Sequence, residues 1–295
     1  MKALIWGAGG RPEEVVLPRP HPGEESVLVE VRAAALTVIK PGTVMGTQGT
    51  GTIAHDPQGL LPEGTLVAWA GVAGSCAAAV CVPRDRIVAV PQGIIPGVAA
   101  AMLQPAMMAH VLLHCPTPVT AGSTVLINPA DDPVGLISAQ WAGALGARVI
   151  AVSPSGESAP HLDRATVVRR AHAATRRAAA AGGVDVALHG AGKQGLEHAL
   201  ASLRRRGTLC LYGQPPHPLK RISPVELASR GSLTLSCPVL EDYLREPDGF
   251  RTRAQAVTQA LTEGSITIPF GRQYCLEEIS GLRGEDLTGL AVLRF

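Results

Sequence analysis

The 295-residue chain is short of aromatics, of paired cysteines and of net charge, and each shortage removes a class of function. Aromatic residues make up 3% of it, too few for the stacking platforms on which single-stranded nucleic acids are bound. Lys and Arg number 26 against 24 Asp and Glu, so the net charge of +2 gives neither nucleic acid nor an acidic partner a field to follow. Arginines cluster at Arg169–Arg170, Arg176–Arg177 and Arg204–Arg206, and in so Ala-rich a setting they read as solvated faces. The six cysteines, at 76, 81, 115, 210, 237 and 275, include no C-x-x-C pair and no zinc-ligand spacing, so reduced buried thiols are expected. No uninterrupted apolar run reads as a membrane span, and no signal peptide precedes the first strand. A soluble, cytoplasmic protein is the expectation, with no membrane and no nucleic-acid partner.

What is present is a hydrophobic content of 46%, enough for a sizeable core. Residues 1–95 carry short apolar or alternating runs at Met1–Trp6, Ser26–Ala34, Gly49–Ala54, Thr65–Ala70 and Ala77–Val82, punctuated by Gly and Pro. That spacing predicts a small β-barrel. The pattern then changes. Ile95–His114 has helical spacing, with Pro105 as a kink or break. Thr124–Asn128 reads as a buried strand, Val134–Leu145 as an Ala-rich helix closed by Gly146, and Arg148–Val152 as the next strand. The alternation continues with Val184–His189 (strand), Gly195–Arg205 (helix), Gly207–Tyr212 (strand), Val225–Arg230 (helix) and Leu233–Cys237 (strand). Strands alternating with helices imply a parallel sheet covered on both faces. Phe250–Glu263 reads as a helix and Ala291–Phe295 as a last strand.

Four stretches carry a resemblance that spans most of the chain: "VGLISAQWAGALGARVIAV", "LRRRGTLCLYG", "GTLVAWAGVAGSCAAAVCVPRDRIVAVP" and "LTGLAVLRF". Together they resemble the medium-chain dehydrogenase/reductase superfamily, in its zinc-independent quinone oxidoreductase (zeta-crystallin-like) branch. The fold this implies is α/β, a GroES-like β-barrel domain plus a Rossmann-type doubly wound parallel-sheet domain. The boundaries implied are 1–98 with 238–295 for the first and 99–237 for the second. The activity implied is NADPH-dependent reduction of a small quinone or enone, by a homodimer. The zinc branch uses Cys, His and Glu ligands and a four-cysteine lobe. Neither set is matched here, His55 reads as a surface or loop histidine, and no zinc is expected.

The chain departs from that family where the cofactor should sit. The family's turn after the first Rossmann strand is A-x-x-G-x-x-G, whose glycines let a pyrophosphate approach the helix N-terminus. Here the motif positions hold Pro129, Asp132 and Gly135. Asp132 suits the helix N-cap, Pro133 the first helical position and Gly135 close helix–strand packing. A capping carboxylate occupies the donors a phosphate would use, and Asp131 adds a second negative charge beside it. Two charges about 4 Å apart repel by about 4 kcal/mol at an effective dielectric of 20. Impaired binding follows from this crowding; retained binding would need a shifted turn with contacts to sugar and base. The cofactor positions implied by the resemblance are Asp131, Asp132, Pro133, Val134, Gly135, Ser153, Ser155, Gly190, Tyr212 and Gly213. No acid ends the strand at Val152, and Ser153 and Ser155, with Arg164, suit a 2′-phosphate, which favours NADPH if a dinucleotide binds. The helix the family places next is shortened or replaced by "GESAPHLDRATV".

Two further departures concern the substrate. A loop of about a dozen residues is missing between Lys40 and Gln48, so the pocket it helps wall should be more open. Pro105–Met108 replaces a G-x-T-A stretch, and Met107 and Met108 read as core. Candidate catalytic residues are Thr37, Lys40, Gln48, Cys76, His189 and Tyr243. Lys40 would donate a proton or bind an anion, or be a solvated lysine; Cys76 would line the cleft or be a small buried hydrophobe. His189 would be an acid/base or a structural histidine. Beside hydride transfer stands a non-redox reading on the same fold: a cyclase, isomerase or lyase of natural-product biosynthesis, or a cofactor-free silent partner.

Overall fold

A computed structural model describes the chain apart from Ile39, 214–220, Pro247, 268–271, 284–286 and 288–290. Residues 288–290 of the "LTGLAVLRF" stretch therefore lie outside the described residues. The chain divides into two compact units. The first comprises 1–104, 244–258 and 268–295, and the second comprises 105–243 and 259–267.

The first unit begins with a hairpin, β1 (Lys2–Trp6) and β2 (Pro12–Val16). β3 (Ser26–Ala35), β4 (Gln48–His55), β5 (Leu66–Ala70), β6 (Ala79–Pro83) and β7 (Ile87–Ala89) follow. β3 is the hub: it pairs antiparallel with β4 and with β6. Two glycines of β4 exist for close approach. A Cβ at Gly51 would fall 2.1 Å from the Glu30 carbonyl oxygen, and one at Gly49 would fall 2.6 Å from the Trp69 ring. The core inside this sheet gathers Leu4, Val29, Met45, Ile53 and Trp69, all at most 1% exposed.

Helix α1 (Pro96–His114) runs through Pro105 without ending there. It is long and apolar enough to cross a membrane by length and composition, contrary to the expectation that no segment would be. Its alanines explain this, and 72% of the apolar window is buried within the protein, as in a core helix. In the first unit its Ala100 and Ala101 pack against Ala33 and Val292.

The second unit is built from β8 (Thr124–Asn128), α2 (Pro133–Ala144), β9 (Arg148–Val152), β10 (Ala165–Val168), α3 (Ala171–Ala180), β11 (Val184–His189), α4 (Leu196–Ser202), β12 (Leu203–Leu211), α5 (Pro224–Ser229) and β13 (Thr234–Ser236). The six strands form one sheet in the order β10-β9-β8-β11-β12-β13, with every pair parallel. Counted within the unit this is 3-2-1-4-5-6, the dinucleotide-fold order, and its crevice opens between β8 and β11. The short helix α6 (Leu240–Leu244) and the longer α7 (Gly249–Thr262) follow. β14 (Gln273–Cys275) and β15 (Val292–Arg294) return the chain to the first unit, where β15 pairs with β3.

The expected β-barrel-type sheet and doubly wound sheet are both present. Two details of the second unit differ from the sequence reading. β10 was not expected, because four residues carry too little pattern to stand out. The helix expected over Gly195–Arg205 stops at Ser202, since Leu203 already pairs with Val184 across a bulge. Arg204 is held extended there by an ion pair to Asp185 at 2.6 Å. The stretch between β9 and β10 contains only a single 3-10 turn, Ala159–His161, so the helix the resemblance places there is indeed replaced. The clustered arginines at 169–170, 176–177 and 204–206 are all exposed.

Candidate active site

The crevice end of the parallel sheet is organised by the turn between β8 and α2. Asp132 takes an extended conformation and caps the helix, its Oδ1 accepting from the Gly135 amide at 2.9 Å. Pro133 follows as the first helical residue, where it has no amide to waste. Gly135 is required: a Cβ there would fall 1.9 Å from the Pro129 carbonyl oxygen. All three roles read from the sequence are observed.

The rest of the turn is closed by residues distant in sequence. The Tyr212 hydroxyl, at the end of β12, donates to Asp132 Oδ2 at 2.9 Å and to the Pro129 carbonyl at 3.2 Å. Its ring lies across Gly190, where a Cβ would meet it at 2.7 Å. Gly213 follows in a left-handed conformation, φ 76°. Asp131 turns the other way, toward the loop after β9. It accepts from the Ser153 hydroxyl and, at 2.9 Å, from the Ser155 amide. Ser153 is fully buried and its oxygen also accepts from the Gly156 amide at 3.1 Å, while Ser155 is exposed.

The two carboxylates are tuned in opposite directions. Burial pushes Asp132 up, and the Gly135 amide and Tyr212 hydroxyl only partly offset it. Burial would raise Asp131 too, but hydrogen bonds from Ser153 and Ser155 outweigh it and hold the carboxyl below its ordinary value. Burial and the adjacent Asp132 charge hold the Tyr212 phenol well above its usual range, so it remains a donor.

His189, the last residue of β11, is 1% exposed. Its Nε2 lies 2.7 Å from the Gly192 carbonyl, which can only accept, so Nε2 carries the proton. Nδ1 then accepts from the Asn128 side-chain amide at 3.3 Å. Both ring nitrogens are committed to protein partners, which is the structural alternative weighed above. Burial lowers its pKa from 6.5. The folded ring therefore refuses a proton that the unfolded chain accepts, and stability falls as pH drops below about 6.5, by up to about 1.4 kcal/mol per pH unit. His189→Gln is expected to flatten the stability–pH curve below neutrality. Urea midpoints at pH 7.5 and 5.5 check it; equal slopes for variant and parent would remove His189 as the cause.

In the first unit, Gln48 is buried and bridges β4 to α1. Its Nε2 donates to the Ala101 carbonyl at 3.1 Å and its Oε1 accepts from the Gln104 amide at 2.8 Å. Cys76 is fully buried, its thiol donating to the Ala35 carbonyl at 3.4 Å and pushed up to about 12 by burial. No thiolate is available from it at neutral pH. Thr37 and Lys40 are exposed at the turn that follows β3, and Tyr243 is half-buried in α6. Thr37 and Cys76 both flank Gly46, whose amide donates to the Thr37 carbonyl at 2.8 Å. Among the described residues no group of three or more His, Cys, Asp or Glu is disposed to hold a metal. The sequence reading missed Asn128, which has no motif signal; it is the register partner of His189 on the neighbouring strand.

Comparison with known proteins identifies the frame. Residues 133–243 match the family model described as zinc-binding dehydrogenase. A quinone oxidoreductase of Pseudomonas aeruginosa is 26% identical, with 99% of each chain covered. A mycobacterial protein solved with NADPH superposes with a TM-score of 0.88 at 28% identity, over 100% of both chains. Over nearly its whole length the chain is similar to zinc-independent quinone oxidoreductases of the medium-chain dehydrogenase/reductase type. A 2-haloacrylate reductase of a Burkholderia species is 27% identical over 93% of this chain and 84% of its own.

Around the turn, donors that could meet a dinucleotide phosphate already serve carboxylates of the protein. The Gly135 amide and Tyr212 hydroxyl are given to Asp132, and the Ser153 hydroxyl and Ser155 amide to Asp131.

Proposed function

We propose that this chain is a zinc-independent oxidoreductase that reduces small quinones or activated C=C bonds at the expense of a reduced nicotinamide dinucleotide. The observation carrying this reading is similarity over nearly the whole chain to proteins named as quinone oxidoreductases and a 2-haloacrylate reductase, on a sheet with dinucleotide-fold order. The non-redox reading has no comparable support. Of the polar groups proposed for catalysis, Thr37 and Lys40 are the exposed ones in the first unit, and they are the groups to vary first. A homodimer belongs to the same reading: among the described residues β13 is the last strand of the parallel sheet, where a second copy would extend it.

The test is acceptor-dependent oxidation. Purified protein with NADPH or NADH at millimolar concentration should consume the dinucleotide in the presence of a quinone or a 2-haloacrylate, and leave it unchanged without them. No consumption with either cofactor and any acceptor would sink the reading.

A further inference from the structure

We propose that Asp131 is an internal anion seated where the adenosine 2′-phosphate would lie, so that this chain does not favour NADPH, the dinucleotide with which a mycobacterial relative was solved. The inference rests on the reductase reading above and concerns which dinucleotide the same site takes.

In a dinucleotide fold the segment after the second strand meets the adenosine ribose. Here that segment is Ser153–Gly156, and one hydroxyl and one amide of it clasp a carboxylate. The Ser153 hydroxyl donates to Asp131 Oδ1 and the Ser155 amide to Oδ2, while the amide of Gly156, a residue at φ 79°, donates to the Ser153 hydroxyl. The Arg169 guanidinium lies beside Gly156, where a Cβ would fall 2.4 Å from its Nη2. These donors would suit a phosphate, but the Asp131 carboxylate holds them. Asp131 reaches them from the β8–α2 turn, 22 residues before Ser153 and 24 before Ser155. Its oxygens are spent on this loop, so it acts on a ligand by charge. A 2′-phosphate entering the clasp meets a carboxylate already in possession of the donors. A ribose with a free 2′-hydroxyl brings no charge and displaces nothing. The penalty therefore falls on NADPH and not on NADH.

Dissociation constants of NADPH and NADH, measured by nicotinamide fluorescence for the parent, Asp131→Ser and Asp131→Asn, test the inference. Calorimetry with adenosine 2′,5′-bisphosphate against AMP gives a second readout free of hydride chemistry. Parent protein is expected to bind NADPH no tighter than NADH. Asp131→Asn, which keeps the shape of the clasp while removing its charge, is expected to tighten NADPH by about tenfold or more and NADH by less than about threefold. The bisphosphate should gain on AMP in the same proportion. Asp131→Ser should act in the same direction, and the two variants together guard against one that fails to fold. A parent that binds NADPH about tenfold tighter than NADH, or an NADPH/NADH ratio unmoved in both variants, overturns the proposal while leaving the reductase reading intact. No binding of either dinucleotide by parent or variants, with no acceptor-dependent oxidation, overturns both.

Discussion

Replacing Gly135 by Ala is expected to cost about 3 kcal/mol or more of stability, although Ala is the better helix former by about 1 kcal/mol. The reason is backbone against backbone. The added Cβ would fall 1.9 Å from the Pro129 carbonyl oxygen and 3.0 Å from its carbon, with the Tyr212 hydroxyl 3.0 Å away on the same side. None of these is the loose end of a flexible side chain. To make room, α2 must move away from the end of β8, and Gly135 is itself the residue whose amide Asp132 caps. The shift therefore also strains a cap worth about 1 kcal/mol. The Tyr212 hydroxyl, held by Pro129 and Asp132 together, loses its alignment as the two separate. Chemical denaturation of parent and variant is the measurement. A Gly135→Ala protein as stable as its parent would show that the turn yields cheaply and that this glycine is not required for packing.

The turn also shows how far local rules reach. Asp132 as cap, Pro133 as first helical residue and Gly135 as packing residue are legible because each role is settled within three residues by capping and steric rules. Its closure is not legible. Ser153 is 22 residues from Asp131, and Tyr212 is 80 from Asp132. Their meeting depends on β8 lying between β9 and β11, with β12 next, which only the assembled sheet decides. The same limit applies at His189. Its place at the end of a strand follows from pattern, but its hydrogen bonds to Asn128 and Gly192 depend on strand register and on the loop after β11. Strand and helix ends failed where tertiary pairing overrode local preference. Leu203–Arg206 follows a helical run and contains good helix formers, yet its pairing with Val184 and the Arg204–Asp185 contact draw it into β12. In α1 the override ran the other way, and a buried apolar helix continued through Pro105.

Trp69→Ala is expected to be the most destabilising single truncation in the first unit, by about 3–5 kcal/mol. Trp69 is completely buried in β5 and is the largest side chain of the cluster it shares with Leu4, Met45 and Ile53. The sheet is built around its ring. Gly49, its register partner on β4, has no side chain because the ring occupies the space: a Cβ there would fall 2.6 Å from Trp69 Cζ2 and 2.9 Å from the Ala33 carbonyl. That carbonyl belongs to β3, so the gap left by truncation is bounded by backbone and cannot collapse freely. The indole contributes one polar contact, Nε1 donating to the Ser75 hydroxyl at 2.9 Å. Ser75 in turn donates to the Val72 carbonyl at 2.6 Å, and keeps that bond when the indole is lost. Trp69→Phe therefore separates the two contributions. It removes the hydrogen bond, worth about 1 kcal/mol, and retains most of the ring packing, so it should cost clearly less than Trp69→Ala. Thermal or chemical unfolding of the three proteins decides it. If the Phe variant were as unstable as the Ala variant, the indole hydrogen bond rather than ring packing would be what holds this core together.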